Sequence, residues 1–174
     1  MSLLGLLMIA SAGRGQILGH DLSFPVLKHL RWDMSIEEVQ KVGNSLGILV
    51  KSSDTSITLS SPVFGFAAQT NLLFKHDIRE PALIQVQFPE PSEAVIDSLV
   101  GHFTRALGMA PNKFSQEKSA LIFTIRFEFF QWKTTECTIV VQRIAKGTTL
   151  INTGVFFRRP ALRAGDKPSS LPHQ

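Results

Sequence analysis

Residues 43–47, Gly-Asn-Ser-Leu-Gly, match the Gly-x-Ser-x-Gly pattern that sets a nucleophilic serine on a tight turn in many hydrolases. That chemistry needs a strand entering the serine and a helix leaving it, so that the hydroxyl stands above a sheet beside the amides of a helix start. Here the order is reversed. MSIEEV, from Met34 to Val39, is a helix opening: Ser35 caps the first turn, Glu38 returns a bond to the Ser35 amide, and Met34 and Val39 take the places of a hydrophobic staple. Glu37 and Glu38 put negative charge at the positive end of the dipole. Val39 and Val42 supply a short apolar face, and Gly43 reads as the stop of a helix spanning Ile36 to Val42. The apolar LGILV then leaves as a strand, with Gly47 at a turn and Ser45 in the loop before it. Ser45 is therefore not assigned as a nucleophile.

Other groups that could do chemistry have cheaper explanations. His76-Asp77 and the pair Asp33 and Glu37 are acid/base partners in principle, but a solvated loop and a helix start account for them. His20, His29, His76, His102 and His173 show no short metal-ligand spacing, and no H-E-x-x-H, paired C-x-x-C, P-loop or dinucleotide glycine pattern is present. No catalytic residue, metal ligand or cofactor is assigned. The single cysteine, Cys137, excludes an internal disulfide and falls in the strand-like ECTIVV, where it reads as a small buried hydrophobe.

The elements that would position any site follow from periodicity. After Gly43 come alternating runs: Ile57 and Leu59 between polar residues, then Phe64, Phe66 and Ala68 on one face. Leu72 and Phe74 continue beyond a polar break at Gln69 to Asn71, and Ile84, Val86 and Phe88 oppose Gln85 and Gln87. Such half-polar alternation describes an antiparallel sheet with one wet face. Ser92 caps a second helix with an apolar stripe at Val95, Ile96, Leu99, Phe103 and Leu107, which Gly108 ends. His102 beside that stripe reads as a packing residue. Three strands follow: Phe123, Ile125, Phe127 and Phe129 face one way and Thr124, Arg126 and Glu128 the other; Cys137, Ile139 and Val141 repeat the pattern; a third run begins after Lys146-Gly147. The expected fold is α+β, an antiparallel sheet with two helices on one face. A tandem α-β-β-β repeat and a single layer bearing two helices both satisfy the pattern.

The chain of 174 residues suits one domain, expected over 13–162, and its 44% hydrophobic and 18% charged residues exclude global disorder. Thirteen Phe and no Tyr put the aromatic mass in residues without a polar handle. Residues 1–110 carry a balance of −2 and residues 111–174 one of +6. Lys118, Arg126, Lys133, Arg143, Lys146, Arg158, Arg159 and Arg163 are spread over the C-terminal third and read as a solvated face. Without interleaved exposed aromatics or a reading motif, nucleic acid is not the expected partner. At the N-terminus an apolar run from Leu3 to Ala10 precedes Ala10-Ser11-Ala12, a small-x-small cleavage pattern, so residues 1–12 are expected to be a signal peptide. The run is too short to span a bilayer, and no later segment qualifies. The Pro/Ser-rich residues 163–174 are expected to be a disordered tail. Periplasmic or secreted localisation follows; a cytoplasmic location, with MSLLGLL kept in the fold, is the alternative.

Trp32-Asp33-Met34-Ser35 running through Glu37-Glu38-Val39 to Gly43 resembles the helix opening of exported proteins of the beta-lactamase-inhibitor-protein-like fold, a group that includes small outer-membrane assembly lipoproteins. Leu107-Gly108-x-x-Pro111, and Trp132 ahead of Ile139, extend the likeness over residues 30–158. Two features depart from the lipoprotein branch: no Cys follows the apolar N-terminal run, and the second helix is longer. The resemblance implies a sheet whose exposed face or loops bind other proteins without catalysis. On the residues themselves, the water-facing positions Gln85, Gln87, Thr124, Arg126, Glu128 and Gln142 are the candidate partner-binding set, for a protein or an envelope component. Trp32 is either an anchor for that partner or a core plug. A small hydrolase assembled from distant residues and a cytoplasmic secretion-type chaperone or adaptor are the alternatives.

Overall fold

The computed structural model describes residues 24, 26–75, 78–120, 122–135 and 137–159, with backbone alone at 75, 78–80 and 120. The expected leader at 1–12, the tail at 163–174 and the pair His76-Asp77 lie outside the described residues. In chain order the elements are a 3-10 turn (Leu27–His29), α1 (Ile36–Ser45), β1 (Leu49–Ser52), β2 (Ser56–Ser60), β3 (Gln69–Lys75), β4 (Ile78–Gln87), α2 (Glu93–Leu107), β5 (Asn112–Ala120), β6 (Phe123–Lys133), β7 (Thr138–Lys146) and β8 (Thr149–Arg158). The strands form one sheet in the order β1-β2-β3-β4-β8-β7-β6-β5, every neighbouring pair antiparallel. The fold is α+β, as the alternation implies. Each helix leads a meander of four strands, because β5 adds one to the three read after the second helix. The two units join through their last strands, which leaves their first strands, β1 and β5, as the edges.

The helix starts are local chemistry. The Ser35 amide donates to Glu38 Oε2 (2.8 Å) and the Glu38 amide to Ser35 Oγ (3.3 Å), a complete capping box. The Val95 amide donates to Ser92 Oγ (3.4 Å) at the start of α2. The end of α1 differs from the expected stop: the helix runs on through Gly43 to Ser45. Gly47, at φ +66°, is the left-handed terminator, with the Gly47 amide donating to Asn44 O (3.1 Å) and the Ile48 amide to Gly43 O (2.9 Å). Gly43 serves packing instead. A Cβ there would lie 2.7 Å from Leu59 Cδ2 and 3.2 Å from Leu49 Cβ, so its bare Cα lets α1 settle on β1 and β2. Ser45 sits in the last helical turn, exposed, its Oγ donating to Val42 O (2.9 Å).

Both helices cover the same face of the sheet. Ile57, Leu72, Ile84, Phe157, Ile139 and Trp132 form one row by register, and Val39, Leu99 and Phe103 meet that side. Each of these side chains is at most 1% exposed, which stabilises the fold by about 1.5–3 kcal/mol per large side chain. Phe103 is the centre of an aromatic cluster, with ring centroids 5.7 Å from Phe24, 5.4 Å from Trp132 and 6.1 Å from Phe157. Trp132 also donates its indole N–H to Met109 O (3.2 Å). Trp32 and Cys137 are buried, so Trp32 is a core residue and not a surface anchor. The expected strand through Phe64, Phe66 and Ala68 is a turn: Val63 pairs with Phe66 across Phe64 (φ +52°) and Gly65 (φ +83°), and β3 starts on the polar residues that read as a break. A glycine after Phe64 permits the two consecutive left-handed residues a tight hairpin requires.

Candidate binding face on the sheet

Strand register decides which side chains share the face opposite the helices. One row across it runs Phe114, Phe129, Gln142, Gly154, Gln87 and Gln69; the next runs Gln131, Val140, Phe156, Gln85, Asn71 and Thr58. Gln85, Gln87 and Gln142 thus lie together, around Gly154. In the first unit the middle of this face is polar and internally bonded, with Thr58 Oγ1 donating to Asn71 Oδ1 (2.8 Å) and Asn71 Nδ2 to Gln87 Oε1 (3.3 Å), and the paired Leu73 and Leu83 lie beyond it.

Thr124, Arg126 and Glu128 do not join them. They share a parity with Phe130 and Trp132, whose register partners are the buried Val141 and Ile139, and so belong to the helix side. The expectation that they share one surface with the glutamines is corrected by the register of β6. The physical reason is length: α2 lies over β7 and β8, while the eleven-residue β6 runs past its cover, so its helix-side positions there face water. A signal was available in the adjacent Phe129-Phe130, which puts an aromatic ring on each parity.

The consequence is that Phe123, Ile125, Phe127 and Phe129 occupy the open face. They are half-buried by neighbours in the sheet and have no second layer above them among the described residues. Phe114, 41% exposed, stacks on Phe129 at 4.8 Å, and Ile144, Val140 and Phe156 extend the apolar area. Lys118 Nζ stands 5.8 Å from the Phe127 centroid and Lys146 Nζ 4.3 Å from that of Phe123. Lys51, Lys133 and Arg158 complete a cationic rim on this face, and no described strand side chain on it is a carboxylate. At the hairpin tip joining β5 and β6, Ile122 is 90% exposed.

The helix side beyond α2 is the opposite in character. Arg143 donates through Nη1 to Glu128 Oε2 (2.9 Å) and through Nε to both Glu93 oxygens (3.1 and 3.2 Å); Lys113 lies 3.6 Å from Glu128, and Arg126 Nε donates to Glu117 Oε1 at 2.7 Å. The hydrogen bond from Arg143 holds the Glu93 carboxyl below its usual value, against an opposing effect of desolvation, and the same bond raises Arg143. These acids are consumed in ion pairs. His102 packs its ring on Phe64 (4.7 Å between centroids). Among the described residues no three of His, Cys, Asp and Glu gather to hold a metal ion, and no helix is long and apolar enough to cross a membrane. No family model, curated protein or solved structure matches the chain.

Proposed function

We propose that this is a non-enzymatic binding protein that takes a partner protein or envelope component on the open face of its sheet. One observation carries the reading: the Phe114, Phe129, Phe127, Ile125 and Phe123 patch is apolar, rimmed by cations and covered by none of the described residues, and an exposed apolar patch with a polar rim marks an interaction surface. Gln85, Gln87 and Gln142 would supply the polar flank that fixes orientation. Thr124, Arg126 and Glu128, on the helix side, would lie outside the contact. The ring faces of Phe123, Phe127 and Phe129 are already engaged by Lys146, Lys118 and Phe114, which leaves little platform for base stacking and favours a protein over nucleic acid. The likeness of Trp32 to Gly43 to the exported beta-lactamase-inhibitor-protein-like group points the same way. Export rests on the Leu3 to Ala12 pattern, and an intact mass beginning at Gly13 in protein from its native host is the expected result; retention of Met1 would argue for the cytoplasmic adaptor.

A photo-crosslinking amino acid placed at Phe127 or Gln142, in cells, tests the site. A discrete adduct from these positions and none from the exposed helix-side position Asp97 is expected. Adducts from Asp97 alone, or from none of the three, would refute the face as the binding surface.

A further inference from the structure

The two edges of the sheet are unequal. β1 has four residues, a register shift between Leu49 and Lys51, and α1 lying against it. Bulges, brevity and cover are the usual protections of an edge. Among the described residues β5 has none of them. Its nine residues pair with β6 in unbroken register, contain no proline, and expose every side chain from Asn112 to Ser119. The outward backbone groups of such a strand are a template for another strand.

We propose that β5 pairs with β5 of a second copy of this chain, antiparallel about a two-fold axis through Ser115, to form a continuous sixteen-stranded sheet. The occupant follows from charge. In this register Lys113 stands opposite Glu117 of the second copy, and Glu117 opposite its Lys113, all on the helix side. Asn112 meets Lys118, Phe114 meets Gln116, and no like charges are opposed. The intramolecular chain Glu93, Arg143, Glu128, Lys113 then continues with alternating sign into Glu117 and Arg126 of the other copy. On the open face Phe114, stacked on its own Phe129, lies diagonal to Phe114 of the second copy, within reach of aromatic side chains. Face-to-face association is disfavoured, because it would oppose two rims of Lys51, Lys118, Lys133, Lys146 and Arg158. The pairing is independent of what binds the open face, and it would double that face's extent without covering it.

A single strand pair buries a modest area, so affinity in the micromolar range is expected. Sedimentation equilibrium at about 0.1 mM should therefore give a mass near twice that of one chain. Lys113→Glu and Glu117→Lys should each weaken the dimer about tenfold or more, by setting like charges opposite. An equimolar mixture of the two variants should restore a heterodimer in native mass spectrometry, since opposite charges then meet at both positions. Ser115→Cys, on the axis, should form an intermolecular disulfide under mild oxidation much faster than Ser119→Cys; the buried Cys137 remains in both. A monomeric wild type at that concentration, single variants that dimerise as the wild type does, or equal cross-linking of the two cysteine variants would overturn the proposal.

Discussion

The two halves of the sheet share an architecture and use its outer face differently. In the first unit, Thr58, Asn71 and Gln87 bond to one another across three strands, and the edge β1 is short, bulged and covered by α1. In the second, the corresponding surface is phenylalanine and isoleucine under a rim of cations, and the edge β5 is long and covered by none of the described residues. Both units bury one face against a helix. What separates them is the surface left over, tied by internal hydrogen bonds at its middle in one unit and largely apolar in the other. The uneven charge balance of the chain follows from this division, since the excess cations of the C-terminal third sit on the apolar face and the acids of β5 and β6 turn to the helix side.

The difference can be broken most severely from inside. Phe103→Ala removes the ring around which Phe24, Trp132 and Phe157 pack and is expected to cost about 3–5 kcal/mol in urea unfolding. Phe127→Ala on the open face is expected to cost less than about 1 kcal/mol, as for a surface change that leaves no cavity. Comparable losses at both sites would mean the open face is a second core. Gly43→Ala drives a methyl into Leu59 and Leu49 and is expected to cost about 1–3 kcal/mol, whereas Gly101→Ala in α2 meets only the flexible end of Arg105 and should gain about 0.5–1 kcal/mol. Thermal unfolding of the two single variants checks the opposed signs. The smallest effect is electrostatic. Because the Glu93 pKa is lowered on folding, its pairing with Arg143 stabilises above the unfolded value of 4.5 and is lost as pH falls through the folded value. Glu93→Gln should therefore lower the melting temperature by about 1 °C at neutral pH and by progressively less as the pH is taken below 4.5, the small size reflecting an exposed carboxylate.

What was legible in the sequence was whatever chemistry is local or one-sidedly buried. Ser35 with Glu38, and Ser92, mark the helix starts because a cap is satisfied within three residues. The stripe from Val95 to Phe103 marks α2 because one face of that helix is dry. β5 left no such imprint: Asn-Lys-Phe-Ser-Gln-Glu-Lys-Ser-Ala is wet on both sides, so burial never selected an alternation. β6 misled for the complementary reason. Its alternation from Phe123 to Phe129 is real, but periodicity does not say which side the helices occupy, and the open face took the apolar set. The displaced role of Gly43 has the same origin, since a glycine chosen for close approach to Leu59 and one chosen for a left-handed turn read alike in a string. Of the candidate binding set, Gln85, Gln87 and Gln142 fall on one surface, and Thr124, Arg126 and Glu128 fall on the other.

Hydroxyl-radical footprinting of the phenylalanines in the purified chain tests the central claim most directly. Phe114, Phe123 and Phe127 should oxidise readily while Phe24, Phe103 and Phe157 stay protected, and a bound partner should protect the first group alone. Protection of Phe123 and Phe127 to the level of Phe103 in the isolated chain would contradict an open face, and with it the division between the two units.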